Sequence, residues 1–278
     1  MLPIKKLYID SKARTADSRS TTNFAIDLVD SLSMPEGAVF SICDVLVPHT
    51  WYLIDAGRNN NLYFTENAGA QPQNDFSIAL DSGNYDGTTL ANAITSKISA
   101  QTTLYTYAVN FDSSKEVLTI TANNPTPGGV GVFKWDILTD AQVKAGGSFP
   151  NQADAPNSLN QFLGNFDSFK SLTPVPNLGG FTSSRLQFNP VKYLFIKSSN
   201  LGTFNTLGSF GERTILKKVP VVAPQGEMIL DDTRSGNDFL ECGKQTLKRL
   251  EFTITDEPGN ILDLHEHDVS FSLIFSIM

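Results

Sequence analysis

Hydrophobic positions along this chain recur mostly with the period of a β-strand. Residues 22–29 alternate, with Phe24, Ile26 and Leu28 on one side and Asn23, Ala25 and Asp27 on the other. Residues 75–80 alternate through Phe76, Ile78 and Leu80, and residues 246–255 through Leu250, Phe252 and Ile254. The closing residues 269–278 place Val269, Phe271, Leu273 and Phe275 on one face. Residues 37–47 are denser. There Val39, Ser41, Cys43, Val45 and Val47 oppose Phe40, Ile42, Asp44 and Leu46. Both faces are largely apolar, which predicts a strand deep in a sandwich with one polar interruption. Pro48 ends it, having no N–H to donate. Trp51 and Tyr52 follow and are expected to be packed, because burying such rings stabilises strongly. Asn59-Asn60-Asn61 tolerates turn geometry, so Leu62-Tyr63-Phe64 is expected to open the second strand of a buried hairpin.

Further strands are predicted over 4–10, 105–111, 117–121, 132–137, 191–198, 214–222 and 226–230. One helix is predicted, over Thr88 to about Ser99, because Leu90, Ala91, Ile94 and Ile98 form a single narrow face. Gly83-Asn84-Tyr85-Asp86-Gly87 turns the chain into it, and Asp86 or Thr88 can cap its start. Such a helix is expected over an end or edge of the sandwich. Residues 11–21 are polar and read as a loop or extended arm. Residues 138–189 are rich in Gly, Pro, Asn and Ser, with Pro174-Val175-Pro176 extended and a short helix near 139–144. They read as an inserted irregular segment. About a dozen short strands with one helix and frequent turn signals predict an all-β chain, a jelly-roll β-sandwich spanning 1–278.

Composition narrows the function. The 278 residues carry a net charge of −8, and only 18% are charged. An acidic chain does not grip nucleic acid with its whole surface, which leaves only incidental contact through a local basic patch. Two cysteines, Cys43 and Cys242, make neither a disulfide framework nor a zinc motif, and Cys43 reads as a small buried hydrophobe. The first residues lack a signal peptide's apolar core, and no stretch reaches the roughly 20 apolar residues of a membrane span.

Candidate chemistry is sparse. His265 and His267, within Asp263 to Asp268, are the weak metal candidates: His-x-His in a strand would put both rings on one face, but local spacing supplies no third ligand. The competing reading is a polar turn entering the last strand. Asp231-Asp232 lacks the calcium-loop pattern and reads as a solvated loop. Lys217-Lys218 and Lys248-Arg249 read as strand-edge charges that discourage unwanted pairing. Three histidines and no Gly-x-Ser-x-Gly elbow leave no catalytic constellation, so the chain reads as no enzyme, with no cofactor.

Several short motifs do follow one another in a familiar order. Leu7-Tyr8-Ile9-Asp10-Ser11 precedes Asn23-Phe24. Val47-Pro48-His49-Thr50-Trp51-Tyr52 precedes Asn59-Asn60-Asn61-Leu62-Tyr63-Phe64. Gly83-Asn84-Tyr85 precedes Leu90-Ala91 and Ile94. Leu163-Gly164, Ile215 to Pro220, Phe252-x-Ile254-x-Asp256 and Phe271-Ser272-Leu273 complete the series. In this order, over most of the chain, they resemble the penton (minor capsid) proteins of virophages and polinton-like viruses. On that resemblance Pro48, Trp51, Tyr52, Gly83 and Tyr85 are structural positions. It implies a single jelly-roll that forms a homopentamer at the vertices of an icosahedral virion, beside a double jelly-roll major capsid protein, assembled inside the infected cell. The alternative is a carbohydrate- or receptor-binding β-sandwich that meets a host surface receptor, since jelly-rolls also serve as lectins.

Overall fold

The computed structural model of the chain describes residues 3–68, 74–101, 105–123, 133–145, 157–164, 178–189, 191–201, 206–208, 211, 214–233 and 238–277. In order, β1 (Pro3–Asp10), β2 (Asn23–Ser33) and β3 (Ala38–Pro48) come first. Then follow β4 (Asn61–Ala68), β5 (Asn74–Ala79), α1 (Gly87–Gln101), β6 (Thr106–Asp112), β7 (Val117–Asn123), β8 (Phe133–Ile137), α2 (Asp140–Ala145), α3 (Asn160–Leu163) and β9 (Leu178–Thr182). The last third holds β10 (Tyr193–Lys197), β11 (Ile215–Pro220), β12 (Met228–Asp231), β13 (Leu240–Glu241), β14 (Thr246–Thr255) and β15 (Ser270–Ile277). The chain divides into two compact units, Met1–Trp51 with Val191–Met278, and Tyr52–Pro190.

The first unit is a jelly-roll, and its pairing pattern shows why. Its sheets run β1-β15-β3-β12, with β13 also on β3, and β11-β10-β14-β2. Each early strand is antiparallel to a late one: β1 with β15, β2 with β14, β3 with β12, and β10 with β11. One long hairpin, rolled so that successive rungs fall alternately on two sheets, produces this nested pairing. The inward faces interdigitate. Phe252 of β14 meets Phe271 of β15 edge-to-face at 5.0 Å between centroids, and Phe24 lies 5.6 Å from Phe252. Phe40, Leu194, Ile196, Leu250, Leu273 and Phe275 are fully buried in the same core. Each such side chain contributes about 1.5–3 kcal/mol of transfer free energy.

Two expectations for this unit change. The alternation of β3 inverts partway. Phe40 and Ile42 join the core, but so do Val45 and Val47. Asp44 has φ 54, and opposite it the register slips between Ser270 and Ser272. The extra residue at this bulge turns the remaining side chains over. Residues 11–21 are not a loose arm. Ser11 is fully buried, its N–H donates to the Val269 carbonyl, and its hydroxyl donates to Asp268. Thr15 N–H donates to Ala25 and Arg19 N–H to Asn23. The Thr22 hydroxyl donates to the Leu262 carbonyl at 2.6 Å. Backbone groups in a short connection between packed strands must be satisfied, and here the strands themselves satisfy them.

The second unit accounts for the other correction. The expected insertion covered 138–189, but the intervening unit begins at Tyr52. β3 and β4 therefore form no hairpin. β4 pairs with β5 and β8, and β6-β7-β9 make a further sheet. The predicted hairpin 105–121 is β6–β7, paired from Thr106↔Asn123 to Asp112↔Val117. Helix α1 packs within this unit: Leu90, Ala91, Ile94 and Ile98 join Phe64, Leu118, Ile120 and Trp135 in a second core. Asp86 is its cap. It accepts from Thr89 N–H at 2.7 Å, while Asp86 N–H donates to the Thr89 hydroxyl, a reciprocal box. The extended Pro174-Val175-Pro176 stretch lies outside the described residues.

Candidate functional site

Three of the motif residues, Pro48, Trp51 and Tyr52, lie where the jelly-roll chain leaves its third strand. Pro48 closes β3 opposite Met228. His49 N–H then donates to the Glu227 carbonyl, and His49 Nδ1 lies 2.8 Å from the Ala223 carbonyl. The His49 ring tilts against Trp51 at 4.2 Å. Trp51 is buried in the jelly-roll core, and its carbonyl accepts from Gln225 Nε2 at 2.7 Å. Tyr52 differs from expectation. It is the first residue of the second unit and is 37% exposed. Trp51 is the ring that joins the jelly-roll core.

Gly83 and Tyr85 belong to the second unit. Gly83 exchanges both backbone hydrogen bonds with Ile54, at 2.9 and 3.0 Å. A Cβ there would meet only Tyr85, at an ordinary 3.8 Å, so this position tolerates a side chain. The Tyr85 hydroxyl donates to the Asp81 carbonyl, its ring packs against the core, and burial raises its phenol pKa. Gly164 is more constrained. At φ 67 it ends α3 beneath Ser184, whose Cβ would lie 2.5 Å from an added Cβ.

His265 and His267 lie in a turn, not a strand. His265 (φ 52) and Glu266 (φ 64) are left-handed. His265 N–H donates to Asp263, and its Nδ1 lies 2.9 Å from the Thr50 carbonyl. His-x-His shares a face only in extended backbone, so the expected ligand geometry is not formed. Among the described residues, no group of three His, Cys, Asp or Glu is placed to hold a metal ion.

The basic pairs resolve in part as expected: Lys218 is an exposed charge on edge strand β11, whereas Lys217 and Arg249 are held by acidic partners. Lys217 is turned inward. Its Nζ lies 3.3 Å from Asp231 Oδ2, 2.8 Å from the Thr233 carbonyl and 3.3 Å from the Ile42 carbonyl. Both side chains of the pair are under a tenth exposed, at 8% and 5%. Asp231 is thus a strand residue inside the sandwich, not part of a solvated loop. Its position was signalled by β12 itself, where Ile229 and Asp231 share the inward phase. Lys218 points outward over the Tyr193 ring at 3.5 Å, a cation–π contact. Arg249 sits on β14, an interior strand of its sheet, and pairs with Asp17, Asp27 and Glu251.

The jelly-roll surface carries several large apolar side chains. Met228 and Leu230 on edge strand β12 are 53% and 60% exposed, opposite Pro48 and Leu46. Tyr8 on edge strand β1 is 78% exposed, and Val29 on edge strand β2 is fully exposed. No helix among the described residues is long and apolar enough to cross a membrane.

No protein-family model matches the chain, and no curated protein matches it in sequence. Solved structures do. The SeMet-labelled mavirus penton protein is 12% identical, with a TM-score of 0.49, over 99% of this chain and 100% of that one. The 3.5 Å cryo-electron microscopy structure of the Sputnik virophage contains a chain 14% identical, with a TM-score of 0.45, over 97% of each. The jelly-roll assignment stands on the nested strand pairing itself, independently of these likenesses.

Proposed function

We propose that this chain is a structural capsid protein, a penton whose homopentamers occupy the vertices of an icosahedral virion beside a double jelly-roll major capsid protein. The observation that carries the reading is the nested strand pairing of the first unit, found in a chain whose motif series resembles virophage and polinton-like pentons. The acidic balance fits a protein that does not work by gripping nucleic acid with its whole surface. Residues 11–21 are already held within the fold, so the drive to associate lies elsewhere. It comes from apolar side chains left on edge strands, above all Met228 and Leu230, whose burial against a neighbour is favourable.

A five-fold ring closes through heterologous contacts, so each subunit offers two different patches, and damage to either stops closure. Native mass spectrometry of the purified chain tests this. Pentamers are expected for the full chain, and monomers with unchanged circular dichroism for Met228→Asp with Leu230→Asp. A full chain that stays monomeric and is not retained by shells of the major capsid protein overturns the reading.

A further inference from the structure

A polar cleft of about 280 Å³ opens on the outer side of the second jelly-roll sheet. Its wall is formed by cross-strand pairs between β2 and β14, Asn23 opposite Thr253 and Ala25 opposite Glu251, with Arg249 beyond them. Of these, Ala25 has only a methyl group, and the space lies above it. The segment 17–19 closes one side, held down by Arg19 N–H on the Asn23 carbonyl and Ala25 N–H on the Ser18 hydroxyl. Ser199, after β10, closes the other and donates to Glu251 Oε2 at 2.6 Å.

The electrostatics are fixed in advance. Arg249 is held by Asp17 at 2.5 Å, Glu251 at 3.4 Å and Asp27 at 3.6 Å. Among the cleft residues, Asp17 and Glu251 balance Arg19 and Arg249, so the lining has no net charge. Yet three groups keep hydrogen-bonding capacity in hand. The guanidinium of Arg19, the amide of Asn23 and the hydroxyl of Thr253 make no side-chain hydrogen bond or ion pair among the described residues. Neighbouring donors and acceptors without net charge, over a small floor, match vicinal hydroxyl groups better than an anion or an apolar body.

We propose that this cleft is a binding site for one neutral sugar ring of a glycan. Arg19 and Asn23 donate to ring hydroxyls, while Thr253 and the carboxylates of Asp17 and Glu251 accept from them. The volume lies just under the roughly 300 Å³ at which drug-sized sites begin, which fits a single ring held in the millimolar range. The site lies wholly within the jelly-roll, so it stands or falls apart from the pentamer.

The test is methyl NMR of the full chain, labelled at alanine, titrated with galactose, glucose, mannose and N-acetylglucosamine to about 50 mM. Glucuronate and inorganic phosphate are run beside them. At least one neutral sugar is expected to shift the Ala25 methyl signal. Arg19→Ala, at an exposed position, is expected to weaken that sugar about tenfold. Ala25→Leu, which fills the floor and removes that probe, is expected to abolish binding as read by saturation transfer to the sugar, while the remaining alanine signals stay in place. The proposal is overturned if no neutral sugar moves Ala25, if only glucuronate or phosphate does, or if Arg19→Ala and Ala25→Leu both leave the affinity unchanged.

Discussion

Removing Lys217 alone should unfold the jelly-roll far more readily than removing it together with Asp231. The ammonium has three acceptors, Asp231 Oδ2, the Thr233 carbonyl and the Ile42 carbonyl, and so uses all its donors. Water is nearly absent from both side chains, which are 8% and 5% exposed. In Lys217→Met the hydrocarbon stem is replaced, but Asp231 is left as a buried charge without its counter-ion. That situation costs about 3–5 kcal/mol, whereas replacing both partners with apolar groups of similar volume is close to neutral. The pair Lys217→Met with Asp231→Leu should therefore recover most of the loss, an interaction energy of about 2–3 kcal/mol in the double-mutant cycle. The sequence supplies a clean probe. It contains two tryptophans, Trp51 in the jelly-roll and Trp135 in the second unit. In a Trp135→Phe background, urea unfolding followed by Trp51 fluorescence reports on the jelly-roll alone. The midpoint should fall for Lys217→Met with the slope unchanged, since the surface exposed on unfolding is the same. Additive single variants, or a Lys217→Met loss below about 1 kcal/mol, would show that the charge is solvated and the account of the pair is wrong.

Trp51→Ala should cost about 3–5 kcal/mol, because the ring fills the jelly-roll core, and Tyr52→Ala much less; thermal melts compare them. Gly87→Ala should destabilise, although Ala is ordinarily the better helix former. A Cβ at Gly87 would lie 2.3 Å from the Phe111 ring, and overpacking of that kind costs about 1–3 kcal/mol. Asp44 is held down to about 2, first by its hydrogen bond from Lys6, so its contribution to stability is full above its ordinary 3.8 and is lost as pH falls through about 2. The side chain is 44% exposed, so the effect should be small and should fade with salt, and Asp44→Asn should flatten the stability profile between those pH values. Burial pushes the Cys242 thiol up to about 11, and Cys43 is fully buried, so neither should react with a thiol reagent at pH 8 until the chain is unfolded.

Much of the strand pattern was legible because alternation is local. The phases of β14 and β15 and the face of α1 follow from neighbours in sequence, and Leu250, Phe252, Leu273, Phe275, Ile94 and Ile98 are indeed buried. What was not legible is what depends on distant partners. Both units are antiparallel and use the same turn chemistry, so nothing local says that β3 pairs with β12 and β15 while β4 pairs with β5 and β8. The inversion in β3 rests on a single backbone value at Asp44, in a run apolar enough to suit either phase. Lys217 looked like a surface residue because its three acceptors come from β3, β12 and the residue pair beyond β12. The sugar cleft was equally hidden: Asp17 and Arg249 are 232 positions apart.

The nested pairing also fixes where this jelly-roll is strong and where it is open to partners. β15 lies between β1 and β3, so the first strand gains its place only when the last has been made, pairing Tyr8 with Ser272 and Asp10 with Ser270. Contacts of such long sequence separation are slow to form because loop-closure entropy is lost before they can compensate it. Ser11 acts at this junction. Its amide and hydroxyl bind Val269 and Asp268 just before β15 begins, so the start and end of the domain are locked by one buried residue. The strands that close the roll are therefore interior and satisfied. Those that remain at its margins, β1, β2, β11 and β12, carry Tyr8, Val29, Lys218 beside Tyr193, and Met228 with Leu230. A jelly-roll closed inside and apolar along its edges leaves lateral contact as the way to cover those edges, which is the physical basis for reading this domain as a building block.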